Sequence, residues 1–253
     1  MLGGISMLKK AILIVCFGVR NEKSRHKTLE IYQKRVALQF PQKDVFMAFT
    51  SNRIVSKIKR REDLDVLTPK SALNQLQEMG YEEVIVQAYS MIYGEGFKQV
   101  NQFLMTNPAA FKSVKIVPPL LHEAVDYKKI ANLVVGDATL KSNQALVLVG
   151  HGTNGLEYSS YLKLNENLQE NVILGTLKGE LDLPSVISRL SEMKVQEVYL
   201  RPLLLTSGYH VGKDIQLEWV TGLQEAGFDV WTSTKPLGEH EEIIQYFIDL
   251  IKE

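Results

Sequence analysis

Two histidines in this sequence stand where an imidazole could do chemistry, and the first is His151. It lies between Gly150 and Gly152, directly after the aliphatic run 145–149. Because this run has no polar alternation, it predicts a strand buried on both faces, as in a parallel sheet. Ligands of open α/β sheets bind at the carboxyl ends of such strands. An imidazole there can act as a base or bind a metal near neutral pH. A purely structural turn is the alternative interpretation of Gly-His-Gly.

The second histidine, His210, follows a second apolar strand. Residues 201–210 read Arg-Pro-Leu-Leu-Leu-Thr-Ser-Gly-Tyr-His, so His210 emerges from a glycine-containing loop. If the two strands are neighbours, His151 and His210 emerge at the same edge of a sheet. Two neutral imidazoles that converge suit a divalent first-row metal such as cobalt, nickel, iron or zinc. For either histidine alone, a hydrogen-bonded loop residue is the plainer interpretation.

The elements that must position these histidines alternate between strand and helix along the chain. Aliphatic runs predict strands at 11–16, 44–49, 83–88, 114–117, 145–150, 172–177, 197–205 and 229–232. Helices are predicted at 21–39, 50–61, 68–79, 95–105, 123–135, 158–170, 184–193, 214–226 and 239–252. Such alternation is typical of an α/β fold with parallel sheets and right-handed crossovers.

A weak internal repeat divides this fold into two similar parts. At an offset of 114 positions, Leu76 falls on Leu190 and Val84 falls on Val198. We therefore expect two Rossmann-like lobes, residues 1–138 and 139–253, which face each other across a cleft. The last helix is expected to pack back onto the first lobe. A cleft lined by the carboxyl ends of strands is the natural place for a ligand.

The composition excludes several classes of function. Lysine plus arginine equal aspartate plus glutamate at 29 each, so no global field attracts nucleic acid or an anionic membrane, although a local basic patch is compatible with this balance. Cys16 is the single cysteine, which excludes an intrachain disulfide and a CxxC site and is compatible with a reducing cytoplasm. No run approaches the ~20 apolar residues that span a bilayer. Without a Gly-x-Ser-x-Gly or Gly-x-Gly-x-x-Gly motif, a hydrolase and a dinucleotide enzyme are disfavoured.

Five stretches occur together in an order that one known family shares. They are Lys10-Ala11 to Phe17-Gly18, Ala48-Phe49-Thr50-Ser51, Thr68-Pro69 to Gln87, Val149-Gly150-His151-Gly152, and Pro202-Leu203-Leu204-Leu205 to Gly208-Tyr209-His210. With them, nearly the whole chain resembles the anaerobic sirohydrochlorin cobaltochelatases, the CbiK-type class II chelatases, which are distant relatives of ferrochelatase. The sequence resembles a divergent member of this family.

The resemblance implies both a fold and a reaction. The family has two similar chelatase-like α/β lobes with the active site between them, and it inserts a divalent metal into a modified tetrapyrrole without ATP. No P-loop occurs in this chain, so no nucleotide is expected. We expect Co2+ as the metal, with Fe2+ or Ni2+ as alternatives, and sirohydrochlorin or a related tetrapyrrole of cobalamin-type biosynthesis as the other substrate.

Other functions remain open at this point. The first alternative is a tetrapyrrole- or metal-binding protein that keeps the fold with weak or no chelatase activity. The second is an unrelated two-lobed protein that binds a small molecule. No nucleic-acid or membrane partner is expected, a cytoplasmic location is expected, and a homo-oligomer is left open.

The resemblance also assigns roles to individual residues. His151 and His210 take the positions of the family's two metal-site histidines, and we expect both to act as catalytic residues and as metal ligands. The family has a glutamate where this chain has Gly96, and the preceding residue, Glu95, is predicted to be a third ligand. Another family glutamate falls on Lys178.

The remaining candidates would contact the macrocycle rather than the metal. Ser90 stands where the family has a histidine, and it is counted among the substrate-binding residues. These are Phe17, Gly18, Tyr89, Ser90, Tyr93, Gly94, Ser207 and Gly208. Lys178, Arg201 or Lys213 can supply positive charge to substrate carboxylates, although a solvated surface charge is the plainer interpretation of each.

Overall fold

The computed structural model describes residues 8–208 and 210–253, apart from the side chains of Glu95 and of residues 210–212. Eight strands form in these residues. They are β1 (Lys10–Cys16), β2 (Asp44–Phe49), β3 (Glu83–Ala88), β4 (Ser113–Val117), β5 (Gln144–Gly150), β6 (Val172–Thr176), β7 (Glu197–Pro202) and β8 (Asp229–Thr232).

The strands form two parallel sheets of the same design. Their orders are β2-β1-β3-β4 and β6-β5-β7-β8. In the first sheet Ala11 of β1 pairs with Asp44 on one side and Val84 on the other. In the second, Leu146 of β5 pairs with Val172 and Tyr199. The α/β class and the parallel sheets predicted from the sequence are therefore confirmed.

Helices connect the strands. They are α1 (Glu22–Arg25), α2 (Ile31–Gln39), α3 (Asn52–Glu62), α4 (Pro69–Glu78), α5 (Lys98–Thr106), α6 (Tyr127–Val135), α7 (Ser159–Glu166), α8 (Leu183–Glu192), α9 (Val220–Glu225) and α10 (Glu241–Lys252). Two π-helical segments accompany them: His26–Glu30 joins α1 to α2, and His210–Trp219 precedes α9. Within the described residues, no helix is long and apolar enough to cross a membrane.

The central strands are buried on both faces. Ile12 and Leu13 are adjacent in β1, so they point to opposite faces of the sheet, and both are inaccessible to solvent. Every residue of β5 is buried as well. Both strands read as continuous aliphatic runs in the sequence because helices cover each face of a parallel sheet.

The chain forms two compact units, and their boundary differs from the expected one. The first unit contains the residues up to Pro119 together with Phe247–Glu253, and the second contains Leu120–Tyr246. The sequence predicts the boundary at 138/139, whereas helix α6 belongs to the second unit. The reason is packing, because α6 contacts α7 and its last residue, Val135, accepts a hydrogen bond from Arg201 at 3.1 Å.

A buried polar contact fixes the end of the chain within the first unit. Gln87 of β3 is inaccessible to solvent, and its side-chain amide donates a hydrogen bond to the carbonyl oxygen of Phe247 at 2.7 Å. The Tyr32 hydroxyl donates to the Gln87 amide oxygen at 2.5 Å. Both ends of a buried amide therefore have partners, which a buried polar group requires.

Candidate functional site

In each sheet, the central strand has neighbours whose connecting segments run to opposite sides. The predicted site residues lie at the carboxyl ends of these strands. In the first sheet β1 separates β2 from β3, and in the second β5 separates β6 from β7. Ligands of open α/β sheets bind outside the carboxyl ends of the strands at such points. Phe17 follows β1 and Tyr89 follows β3, while His151 follows β5 and Ser207 lies beyond β7. The candidates therefore cluster at the carboxyl edges of the central strands, sheet by sheet.

His151 is held at the end of β5 by a local contact. It is half-buried, and its Nδ1 lies 3.0 Å from the carbonyl oxygen of Gly152. In the tautomer in which Nδ1–H donates to this carbonyl, Nε2 carries the lone pair. Metal-binding histidines use this arrangement, since a second hydrogen bond orients the ring and makes it more basic.

The glycines around His151 are required by close packing. Gly152 has a φ of +65°, and a Cβ at this position would overlap the carbonyl oxygen of Lys178. A Cβ at Gly150 would lie 2.9 Å from Cε1 of Tyr161. Because the loop after β6 fills this space, only glycine allows the chain to turn here. The backbone of Lys178 thus lies directly beside the His151 turn.

His210 follows β7, whose carboxyl end lies at the same edge of the second sheet as that of β5. Val149 of β5 pairs with Pro202 of β7, so the two strands are neighbours, as the shared site requires. The loop after β7 leads to His210, where the π-helical segment begins. Turns of π-helix are frequent at functional sites. The His210 side chain and the whole of Tyr209 lie outside the described residues, so convergence of the two imidazoles stays a prediction.

The loop between β7 and His210 is anchored to its neighbour. The Ser207 hydroxyl donates a hydrogen bond to the carbonyl oxygen of Thr234 at 3.2 Å, and Gly208 is exposed. Leu237 N–H also donates to the carbonyl oxygen of Leu204 at 2.7 Å. The backbone that leads to His210 is thus attached to the segment after β8.

At the edge of the first sheet, an aromatic side chain faces solvent. Phe17 is 67% exposed, while Gly18 is buried with a φ of +89°. A Cβ at Gly18 would lie 2.5 Å from the ring of Phe49, so glycine is needed to let the chain turn away from β1. The exposed ring of Phe17 is available to pack against a ligand.

Tyr89 does not belong with the substrate-binding candidates. It is only 2% exposed, and its ring stacks on Tyr32 with the centroids 4.0 Å apart. Burial raises the pKa of its hydroxyl, and this hydroxyl has no hydrogen-bond partner in the described residues. The prediction of a substrate contact was therefore wrong for Tyr89, because the ring completes an aromatic cluster with Phe247.

The neighbours of Tyr89 have different surroundings. The Ser90 hydroxyl donates to the carbonyl oxygen of Ile92 at 2.8 Å, which stabilises the loop. Tyr93 is half-buried against Phe97, with the ring centroids 5.2 Å apart, and burial raises its pKa. Gly94 is exposed and has open space around it. A ligand can reach the Gly94 backbone, whereas Ser90 and Tyr93 already have partners.

The chain matches a family of known proteins over almost its whole length. Residues 10–253 match the family model described as Cobalt chelatase (CbiK). The chain belongs to the cobalt chelatase family. A curated relative, the sirohydrochlorin cobaltochelatase of Salmonella typhimurium, is 26% identical over 249 residues, which is 95% of this chain and 94% of the relative. The family predicted from the sequence is thus confirmed.

Solved structures show the same fold at lower identity. SirB from Bacillus subtilis, solved with Fe3+, has a TM-score of 0.68 at 16% identity, and the match covers 97% of this chain and 95% of SirB. A Deinococcus radiodurans protein described as having structural similarity to chelatases has a TM-score of 0.58 at 12% identity. That match covers 96% of this chain and 54% of the larger, multi-domain protein. Both likenesses support the chelatase fold.

Within this family pattern, Gly96 has a structural explanation. A Cβ at Gly96 would overlap the side chain of Thr50. The space that a side chain at position 96 needs is therefore filled by the end of β2. Glu95 lies in the same short 3-10 helix as Gly96, and its side chain is outside the described part of the chain. A carboxylate cannot simply be added at Gly96.

Of the three predicted metal ligands, the structure describes only the side chain of His151. Among the described side chains, no group of three or more His, Cys, Asp or Glu residues converges. The side chains of His210 and Glu95 are not among those described. Joint binding of a metal by His151, His210 and Glu95 therefore stays a prediction. His151 is the one member whose surroundings are defined.

His240 is a candidate residue that the sequence patterns do not indicate. This residue immediately precedes α10 in the segment that follows β8, beyond the carboxyl edge of the second sheet. Burial lowers its pKa, and so do the positive charges of Lys235 and Arg201. A neutral imidazole is thus favoured at this edge of the sheet. No buried aliphatic strand leads directly into His240, so the pattern that marked His151 and His210 does not mark this residue.

Proposed function

We propose that this protein inserts a divalent metal, Co2+ above all, into sirohydrochlorin or a related tetrapyrrole, as a chelatase of cobalamin-type biosynthesis that uses no nucleotide. The family match supports metal chelation as the class of reaction. The observation that carries the proposal is the position of His151 in a glycine turn at the carboxyl end of a buried central strand. A family relative acts on sirohydrochlorin with cobalt, which supports this choice of substrates.

The chemistry requires a ligand for the metal and an acceptor for protons. As the metal enters the macrocycle, it loses water and the two pyrrole N–H groups lose their protons. A neutral imidazole can bind the incoming ion or accept one of these protons. His151 suits this role because a hydrogen bond at Nδ1 directs the lone pair to Nε2. In the proposal, His210 is the second imidazole of the site.

A second candidate function is a tetrapyrrole- or metal-binding protein with weak or no chelatase activity. Two observations favour it. Thr50 fills the space beside Gly96, where the family resemblance predicts a glutamate. Lys178 replaces another such glutamate beside the His151 turn. Carboxylates stabilise metal charge and relay protons, so their loss removes part of the chemistry from a site that still binds.

Absorbance spectroscopy separates these functions. Protein is mixed with sirohydrochlorin and Co2+, Fe2+ or Ni2+ in turn, and the spectrum follows both binding of the free macrocycle and its conversion to the metal complex. We expect His151→Ala to lose most of the insertion rate. His26→Ala is the matched control, since His26 is exposed on the surface of the first unit and should keep the wild-type rate.

Each outcome has a distinct meaning. Binding of the macrocycle without metal insertion would favour the binding-protein alternative. Absence of both binding and insertion for the wild-type protein would refute the chelatase function and the tetrapyrrole-binding alternative. Equal rates for His151→Ala and wild type would remove His151 from the mechanism. We also propose a cytoplasmic location, with which the buried, reduced thiol of Cys16 is compatible.

A further inference from the structure

Helix α3 and Arg20, which precedes α1, carry a group of positive charges without acidic partners. We name the residues Arg20, Arg53, Lys57, Arg60 and Arg61 the α3 basic cluster. Among the described residues, no carboxylate lies within 4.0 Å of a charged nitrogen of any of these five. The acidic residues nearby are occupied, because Asp63 and Asp65 pair with Lys59 and Glu62 pairs with Arg25. A chain with zero formal net charge therefore has a local positive surface.

The cluster has a regular arrangement along the helix. Arg53, Lys57 and Arg61 are spaced four residues apart, so they form one row on the helix, about 12 Å long at 1.5 Å per residue. Lys57, Arg60 and Arg61 line a shallow surface depression of about 270 Å³. The row thus places several N–H donors along one side of helix α3.

The charges of the cluster repel one another. The pKa of Lys57 is lowered first by the positive charge of Arg53, and further by Arg20, Arg61 and Arg60. Like charges four residues apart destabilise a helix. Like charges that are kept close together although they destabilise a helix are typical of a functional surface. An anionic ligand would relieve the repulsion.

The cluster begins at the same sheet edge as the exposed aromatic ring. Helix α3 starts directly after β2, and the N–H of Ser51 donates a hydrogen bond to the carbonyl oxygen of Phe17 at 3.3 Å. Arg20 lies three residues beyond Phe17 and is exposed, as is Arg53. An aromatic face beside arginines suits a flat conjugated ring that carries carboxylates, because the ring packs on the aromatic side chain and the carboxylates pair with guanidinium groups.

We propose that the α3 basic cluster binds the peripheral carboxylates of a polycarboxylate tetrapyrrole and that Phe17 packs against the macrocycle. This inference rests on the proposed function and deepens it. It moves the carboxylate-binding role away from two candidates taken from the sequence. The guanidinium of Arg201 donates to the carbonyl oxygen of Val135, and Lys213 lies 3.6 Å from a carboxylate oxygen of Glu218. Unlike Lys213, the members of the cluster have no acidic neighbour among the described residues, and Arg60 donates to the backbone carbonyl oxygen of Ser56 within its own helix.

The test measures binding of the free macrocycle without any metal. Sirohydrochlorin is titrated into wild-type protein and into the double variant Arg53→Gln/Lys57→Gln, and absorbance gives the Kd. We expect Kd to rise about tenfold, since each exposed charge pair contributes up to about fivefold. The matched control is Lys27→Gln/Lys34→Gln, which removes the same charge from two exposed positions of the first unit and should change Kd less than about twofold.

Three further measurements test the role of the positive charges. Uroporphyrin, which has acetate and propionate side chains, should lose more affinity in the double variant than coproporphyrin, which lacks the acetates. Thermal unfolding of the double variant should occur at or above the wild-type temperature, because repulsion has been removed. Its Kd should also depend less on salt concentration.

The inference can fail separately from the proposed function. If the wild type binds sirohydrochlorin and inserts metal while the double variant binds it equally well, the cluster does not contact the substrate and only this inference is refuted. A loss of binding to a single-stranded oligonucleotide, with unchanged binding of sirohydrochlorin, would assign the cluster to nucleic acid and overturn it also. If the wild type binds no tetrapyrrole, both proposals are overturned.

Discussion

The contact between Thr50 and Gly96 leads to a quantitative prediction for Gly96→Ala. A Cβ at position 96 would overlap the Cβ, Oγ1 and Cγ2 atoms of Thr50. Rotation of the threonine side chain cannot remove this overlap, because its Cβ is fixed to the backbone. Overpacking of this kind costs about 1–3 kcal/mol of unfolding free energy. With a denaturant dependence of about 1–3 kcal/mol per molar urea, the unfolding midpoint should fall by about 1 M.

The matched control is Gly94→Ala, two residues earlier. A Cβ at Gly94 has no neighbour within 4 Å, so this substitution should leave the free energy of unfolding unchanged or raise it by up to about 1 kcal/mol. Urea unfolding is followed by circular dichroism, which reports both units. Both tryptophans, Trp219 and Trp231, lie in the second unit, so their fluorescence reports that unit and provides a second probe.

A double-mutant cycle tests the stated cause. Thr50→Gly removes the overlapping side chain at a cost of about 1 kcal/mol for added backbone freedom. In Thr50→Gly/Gly96→Ala the overlap is gone, so the two effects should not add, and we expect a favourable coupling of about 1–3 kcal/mol. Additive effects, or equal stabilities of Gly96→Ala and Gly94→Ala, would refute the reasoning. By the same logic, Gly96→Glu should fold well only when combined with Thr50→Gly.

Two further predictions concern buried groups. Tyr32→Phe should lower the free energy of unfolding by about 1–3 kcal/mol, because it leaves the buried amide oxygen of Gln87 without its donor. Tyr89→Phe should have almost no effect on urea unfolding, since the Tyr89 hydroxyl has no described partner to lose, and equal losses in both variants would contradict this. The pKa of His240 is lowered by burial first and by neighbouring positive charges second, so the unfolded state binds a proton more readily. Stability should therefore fall as the pH drops below about 6.5. His240→Gln should weaken this fall in urea midpoints measured between pH 7 and 5, and identical pH profiles for His240→Gln and the wild type would refute the assignment.

Local patterns in the sequence were sufficient for the fold class and for the turn that contains His151. The strands β1 and β5 are read from unbroken aliphatic runs, since a strand buried on both faces has no position for a polar side chain. The Gly150-His151-Gly152 turn can also be recognised locally, because a glycine such as Gly152 adopts its φ of +65° without strain. These features depend on neighbours in sequence, so they could be predicted without the structure.

Contacts between distant segments were decided only by the tertiary structure. A tyrosine at a strand end suits either a ligand contact or a core, and only the packing of Phe247 against Tyr89 places that ring in the core. The sequence records neither that Thr50 occupies the space beside Gly96 nor that Glu62 pairs with Arg25. Helix α3 reads as an ordinary solvated basic helix until these pairings show which of its cations lack an acidic neighbour. Composition and periodicity determine which segments are buried, whereas the choice of partners depends on distances that the fold alone sets.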